Sequence, residues 1–200
     1  MASFTTAFDL LDRQARAVTE GARAFSRIVN DDVTANETET SLLRATEDSI
    51  AARHELETIL EHTLSAPIER EDLHRLSAHF DRAFARTSRS TYASLERHPG
   101  TTTVRAIATE LVTSSGQLES SVGALREAAY DRLLGVAREL RATVKKARVL
   151  YADALGDLAG DSSEPRDLLR DAAFLDAIRS TLATYHAVAG ELSHLAVKNA

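Results

Sequence analysis

The chain has 200 residues, 44% hydrophobic and 27% charged, with a formal net charge of −6 at pH 7. That size suits one domain, or one domain of two similar halves, able to bury roughly two-thirds of its unfolded surface, and the composition is that of a folded soluble protein. The lack of cysteine excludes disulfides, thiol catalysis and thiolate metal sites and agrees with a cytoplasmic location. The negative charge argues against nucleic acid as the main partner, and no apolar run is long enough for insertion into a membrane. The opening MASFTTAFDLLDR carries acids where a signal peptide needs a basic and then an apolar stretch.

Along the chain, Phe4, Phe8, Leu11, Ala15, Val18, Ala22, Phe25 and Val29 step by alternating four and three. This predicts a first helix over 4–29 whose apolar stripe packs on other helices. NDDVTANETE breaks the pattern, and Asn36 with Glu39 forms a candidate capping pair for a second helix running to about Ser65. Leu42, Ala45, Ala52, Leu56 and Ile59 are its inner face. Pro67 ends it, because proline has no amide proton and disfavours helix in the residue before it.

Glu69, Glu71 and Asp72 are placed to meet the positive end of a third helix, whose apolar side is Leu73, Leu76, Phe80, Phe84 and Leu95. RHPGTTT closes the first half. Residues 102–158 contain no proline and read as two helices with an unmarked junction near 125–133. AGDSSEPRD is the next break, with Ser162 or Ser163 as cap and Pro165 in the first turn of the last helix. That helix carries Leu168, Leu175, Ile178, Leu182, Tyr185 and Leu192. The expectation is an all-α fold of about six long helices in two repeated three-helix bundles, 1–98 and 99–200, with no strand.

The residues of a catalytic centre do not assemble. There is no Gly-rich phosphate loop, HExxH motif or nucleophile elbow. The seven histidines are scattered, and pairs such as His54 with Glu57 or Glu61 with His62 are common on helix surfaces. Carboxylates four apart occur at Glu127/Asp131, Asp153/Asp157 and Asp167/Asp171, a spacing that can chelate a hard cation but here reads as solvated surface. The chain is expected not to be an enzyme and to need no cofactor.

The stretch HELETILEHTLSAPIEREDLHRLSAHFD, residues 54–81, resembles the PhoU-like phosphate-transport regulators that accompany Pit-type transporters. The resemblance is carried by His54, Glu55, Pro67, Arg70, Glu71, Asp72 and His74, by the opening FDLLDRQA and by the ending VAGELSHLAVKNA. It implies two three-helix bundles related by an internal repeat. Pro67 and Pro165 stand 98 residues apart, as do Phe80 and Ile178, and Phe84 and Leu182.

The resemblance also implies acid-x-x-x-acid motifs that hold metal clusters on facing helices. The corresponding positions here are Thr46 and Ile50, Asp81 and Ala85, Val144 and Arg148, and Arg179 and Ala183. Only Asp81 is an acid, so the motifs are degenerate and no metal site is expected. Arg148 and Arg179, with Lys145 and Lys146 nearby, are instead a candidate site for an anion such as phosphate. The function implied is regulation of phosphate transport by contact with a membrane phosphate transporter, from the cytoplasm or the inner face of the membrane. The alternative is a self-associating helical protein without a phosphate role, since long heptad-like stripes suit homo-oligomers.

Overall fold

The computed structural model describes residues 2–62, 68–96, 100–160 and 164–200. They form six helices: α1 (Ala2–Val29), α2 (Ala35–His62), α3 (Arg70–Glu96), α4 (Thr102–Arg126), α5 (Tyr130–Gly160) and α6 (Pro165–Asn199). No strand occurs among the described residues. Pro67, Pro99, Ser162 and Ser163 lie outside them.

α1 is the central helix, for a reason visible in its sequence. From Phe8 to Val29 every residue of the predicted stripe is buried, and so are Leu10, Ala17 and Ala24 beside it. The apolar arc is therefore wide enough to serve three neighbours, and α1 packs on α2, α3 and α4. Small residues set the spacing. A methyl group at Gly21 would stand 3.4 Å from Thr87 and 3.6 Å from the Phe84 ring, so α3 lies close against α1 there.

The helices form two layers of three, in the order α2–α1–α4 behind and α3–α6–α5 in front. α1 and α4 run antiparallel, tied at one end by Arg126 to Asp9 at 2.6 Å and at the other by Arg105 Nε donating to the Val29 carbonyl at 3.1 Å. α3 and α6 also run antiparallel. Their buried hydroxyls meet in pairs, Thr87 with Tyr185 at 3.3 Å and Ser90 with Thr181 at 3.0 Å. Thr87 and Tyr185 are 98 residues apart, the same offset that relates Pro67 to Pro165. The two trios are not packed alike: α3 rests on α1, whereas α5 stands between α4 and α6.

One contiguous apolar core runs through both layers. Each fully buried side chain such as Phe25, Leu76 or Ile178 contributes about 1.5–3 kcal/mol by leaving water. Ala45, Ile59, Leu95 and Leu168 are only half-buried, so the predicted inner faces of α2, α3 and α6 thin out along their length.

Two helix starts differ from the sequence reading. α2 is capped by Thr34, not Asn36: the Glu37 carboxylate accepts the Thr34 amide at 3.0 Å, and the Thr34 hydroxyl accepts the Glu37 amide at 3.3 Å. The Thr34 amide, and then the Thr34 hydroxyl donating to the same carboxylate at 2.8 Å, hold the Glu37 carboxyl below its usual range. α2 is described as far as His62, and its predicted end near Ser65 lies outside the described residues. α6 starts from Glu164 with Pro165 at the first helical position, and the Glu164 side chain makes no capping hydrogen bond. The α4–α5 junction falls at 127–129, where Ala128 adopts a left-handed φ of 51°.

Candidate functional site

Two stretches that are distant in sequence, EREDLHRL and AVKNA, meet in space. The start of α3 carries Asp72, whose side chain is fully buried. The antiparallel α6 brings its last turn alongside, and Lys198 Nζ reaches Asp72 at 2.9 Å and Glu69 at 2.6 Å. Arg75 completes the cluster, bonded to Asp72 one turn away and to Glu191 at 3.1 Å. A buried carboxylate is retained when cations and hydrogen bonds compensate its lost hydration, and Asp72 has two cations. The pairing raises the Lys198 and Arg75 pKa values. The two motifs thus form one charged clasp that fixes the C-terminal end of α6 to the beginning of α3.

Beside the clasp, Glu57 of α2 links to α3. Arg53 Nε donates to it at 3.0 Å and also bonds Asp81 at 2.8 Å, crossing from α2 to α3. His54 and His74 stand 3.6 Å and 3.9 Å from the same carboxylate. Arg53 holds Glu57 below the usual carboxylate range. An open cavity of about 530 Å³ lies here, lined by Glu57, Glu61, Arg70, Glu71, His74 and Arg75. With three carboxylates against two guanidiniums and a histidine, it has no single-sign preference.

The positions expected to correspond to metal motifs are scattered in environment. The Thr46 hydroxyl donates to the Leu42 carbonyl at 2.7 Å, and Ile50 is exposed. Asp81 is bound by Arg53, and Ala85 is exposed. Val144 is in the core, while Arg148 and Ala183 are exposed. This donor set does not fit a multinuclear metal centre: the one carboxylate is already neutralised, and the rest offer a hydroxyl, alkyl groups and cations. Among the described residues no group of three or more metal-ligating side chains is placed to hold an ion.

The two arginines of the candidate anion site have different surroundings. Arg179 donates twice to Asp176, at 2.6 Å and 3.1 Å, which lowers the Asp176 pKa and raises its own. An anion at Arg179 would compete with that carboxylate. Arg148 faces α6, where burial and then Arg148 and Arg141 hold the His186 imidazole below its usual pKa. Lys146 is turned away to Glu110 of α4 at 2.5 Å. Arg148 instead belongs to a row with Arg138, Arg141 and Lys145, all exposed on the α6 side of α5. Sequence reasoning missed this row, although its 3-4-3 spacing is the signal of one helix face.

No protein-family model matches the chain, and no curated protein matches it. A solved structure does match. It is a crystal structure from Shewanella oneidensis MR-1 of a protein provisionally described as a PhoU-like phosphate regulatory protein. The two superpose with a TM-score of 0.78 over 98% of this chain and 99% of that one, at 13% sequence identity. The likeness establishes the fold along essentially the whole length.

Proposed function

We propose that this chain is a non-enzymatic regulatory protein of phosphate transport, acting by protein–protein contact with a membrane phosphate transporter of the Pit type. The observation that carries the reading is the meeting of its two family-like motifs in one clasp, Asp72 and Glu69 with Lys198, inside a fold shared end to end with the PhoU-like neighbour. A merely inherited scaffold has no need for a buried carboxylate there, since well-packed apolar side chains stabilise as well or better. No described helix is long and apolar enough to cross a membrane.

A second reading, self-association, is favoured by α2. This outer helix presents Leu43 and Ile50, seven residues apart on one face and 59% and 48% exposed. The test that separates the two is a tagged pull-down from membranes of phosphate-rich and phosphate-starved cells. Recovery of a phosphate transporter in amounts that follow phosphate supply supports the regulator. Recovery of the chain alone supports self-association.

A further inference from the structure

The front layer has a charge distribution that the whole-chain value of −6 conceals. α3 and α5 do not touch; each packs on one flank of α6. Along the α6 edge of α3 run Arg75, Arg82, Arg86 and Arg89, all exposed. Arg86 and Arg89 act on Asp176 of α6, and Arg75 bonds Glu191 of α6, which locates this row beside α6. The α5 row flanks the other side, since Arg141 and Arg148 act on His186.

With Arg179, nine of the chain's 24 basic residues share this face. Acids of the same stretches neutralise two of the nine and leave seven unopposed. Asp176 and Glu191 are ion-paired to Arg179 and Arg75. Asp81 is turned to Arg53 on α2, and Glu139 lies one turn from Thr143, on the side where Gln117 of α4 bonds Thr143.

We propose that this face of the α3–α6–α5 layer is a docking surface for an anionic lipid bilayer. The α3 row spans about 21 Å along its helix and the α5 row about 15 Å, and the rows stand roughly 16–20 Å apart across α6. Charges spread this widely do not converge on one small anion; they match many headgroups at once. Between the rows α6 presents the small residues Ala183, Ala187 and Gly190, with the exposed imidazoles of His186 and His194 among them. Val149 and Val197, 58% and 70% exposed, lie beside Arg148 and along the α6 stripe, where aliphatic groups can enter the headgroup region. The negative remainder of the molecule would orient it with this face toward the membrane.

The test is co-sedimentation of the purified full chain with phosphatidylcholine vesicles and with vesicles containing about one-third phosphatidylglycerol, at about 0.1 M and 0.5 M salt. Binding is expected only to the anionic vesicles, and only at the lower salt. The variant Arg82→Glu/Arg86→Glu/Arg141→Glu should lose roughly a hundredfold or more in partition coefficient. A milder variant, Arg141→Gln/Lys145→Gln, should lose part of it, while Arg44→Glu on α2 binds as the parent does. Circular dichroism confirms the fold of each.

Absence of binding to anionic vesicles, or equal binding by the triple variant, would overturn the proposal. So would retention on immobilised polyglutamate without vesicle binding, which would assign the face to an acidic protein. The vesicles contain no transporter, so either result leaves the transporter reading standing or falling on its own pull-down.

Discussion

Replacing Asp72 by Asn removes the charge from the clasp while keeping its shape. Two charge-assisted hydrogen bonds, from Lys198 and Arg75, are weakened. Such bonds are worth about 1.5–3 kcal/mol each when well formed. Both cations are partly in water, with side chains 30% and 48% exposed, and both keep a second carboxylate, Glu69 or Glu191. No orphan buried charge results, so the loss falls at the low end, about 2–3 kcal/mol in total. For a chain of this size that lowers the melting midpoint by roughly 4–12 °C. Lys198→Ala should cost less, about 1 kcal/mol, because Asp72 keeps Arg75 and the lysine is partly in solvent. Thermal and urea unfolding followed by circular dichroism read both variants. A change below about 0.5 kcal/mol for Asp72→Asn, or a larger cost for Lys198→Ala than for Asp72→Asn, would refute the view that the buried carboxylate is the centre of the clasp.

Three further outcomes follow. Gln14 is fully buried and neither polar atom of its side chain has a partner among the described residues, so Gln14→Leu should stabilise by about 1–2 kcal/mol in urea unfolding; a destabilised variant would mean that its amide is satisfied. Ala128→Gly should raise stability by about 1 kcal/mol, because glycine takes the left-handed φ without a Cβ clash; no gain in the melting midpoint would contradict this. His79 has its pKa lowered below the ordinary 6.5, chiefly by burial and then by Arg82. A depressed folded pKa means that stability is full above 6.5 and lost as pH falls toward the lower value, so the melting midpoint should drop on acidification from about pH 7.5 to 5. His79→Gln should flatten that slope, and an unchanged slope would assign it to other groups.

Helix existence was legible where the code is local and redundant. The α1 stripe alternates four and three over seven turns, and one side of such a helix has to be buried. Helix ends were less legible. Thr34 and Asn36 each precede a glutamate by three residues, and sequence alone does not choose between two overlapping caps. The α4–α5 junction was unmarked because its left-handed residue is Ala128, where a glycine would have announced the stop. Amides from Ala128 and Ala129 close onto the carbonyls of Leu125 and Ala124 and hold that conformation without help from the side chain.

The candidate site divides in the same way. The pairing of Arg179 with Asp176 spans three residues and is readable as one helix turn. The clasp joins Asp72 to Lys198 across 126 residues, and no local pattern encodes that meeting. Both stretches could be singled out, but only the antiparallel packing of α3 on α6 puts one against the other. The basic face needed still more: three helices have to adopt a defined order before Arg86 and Arg148 are seen to share a surface.

The most direct test of the regulatory reading is uptake of radiolabelled inorganic phosphate by cells lacking the gene, by the parent strain and by the deletion strain carrying the gene on a plasmid. The account predicts that deletion changes the uptake rate or its response to phosphate starvation, and that the plasmid restores the parent behaviour. Identical uptake in all three strains, in phosphate-rich and phosphate-poor medium alike, would contradict it.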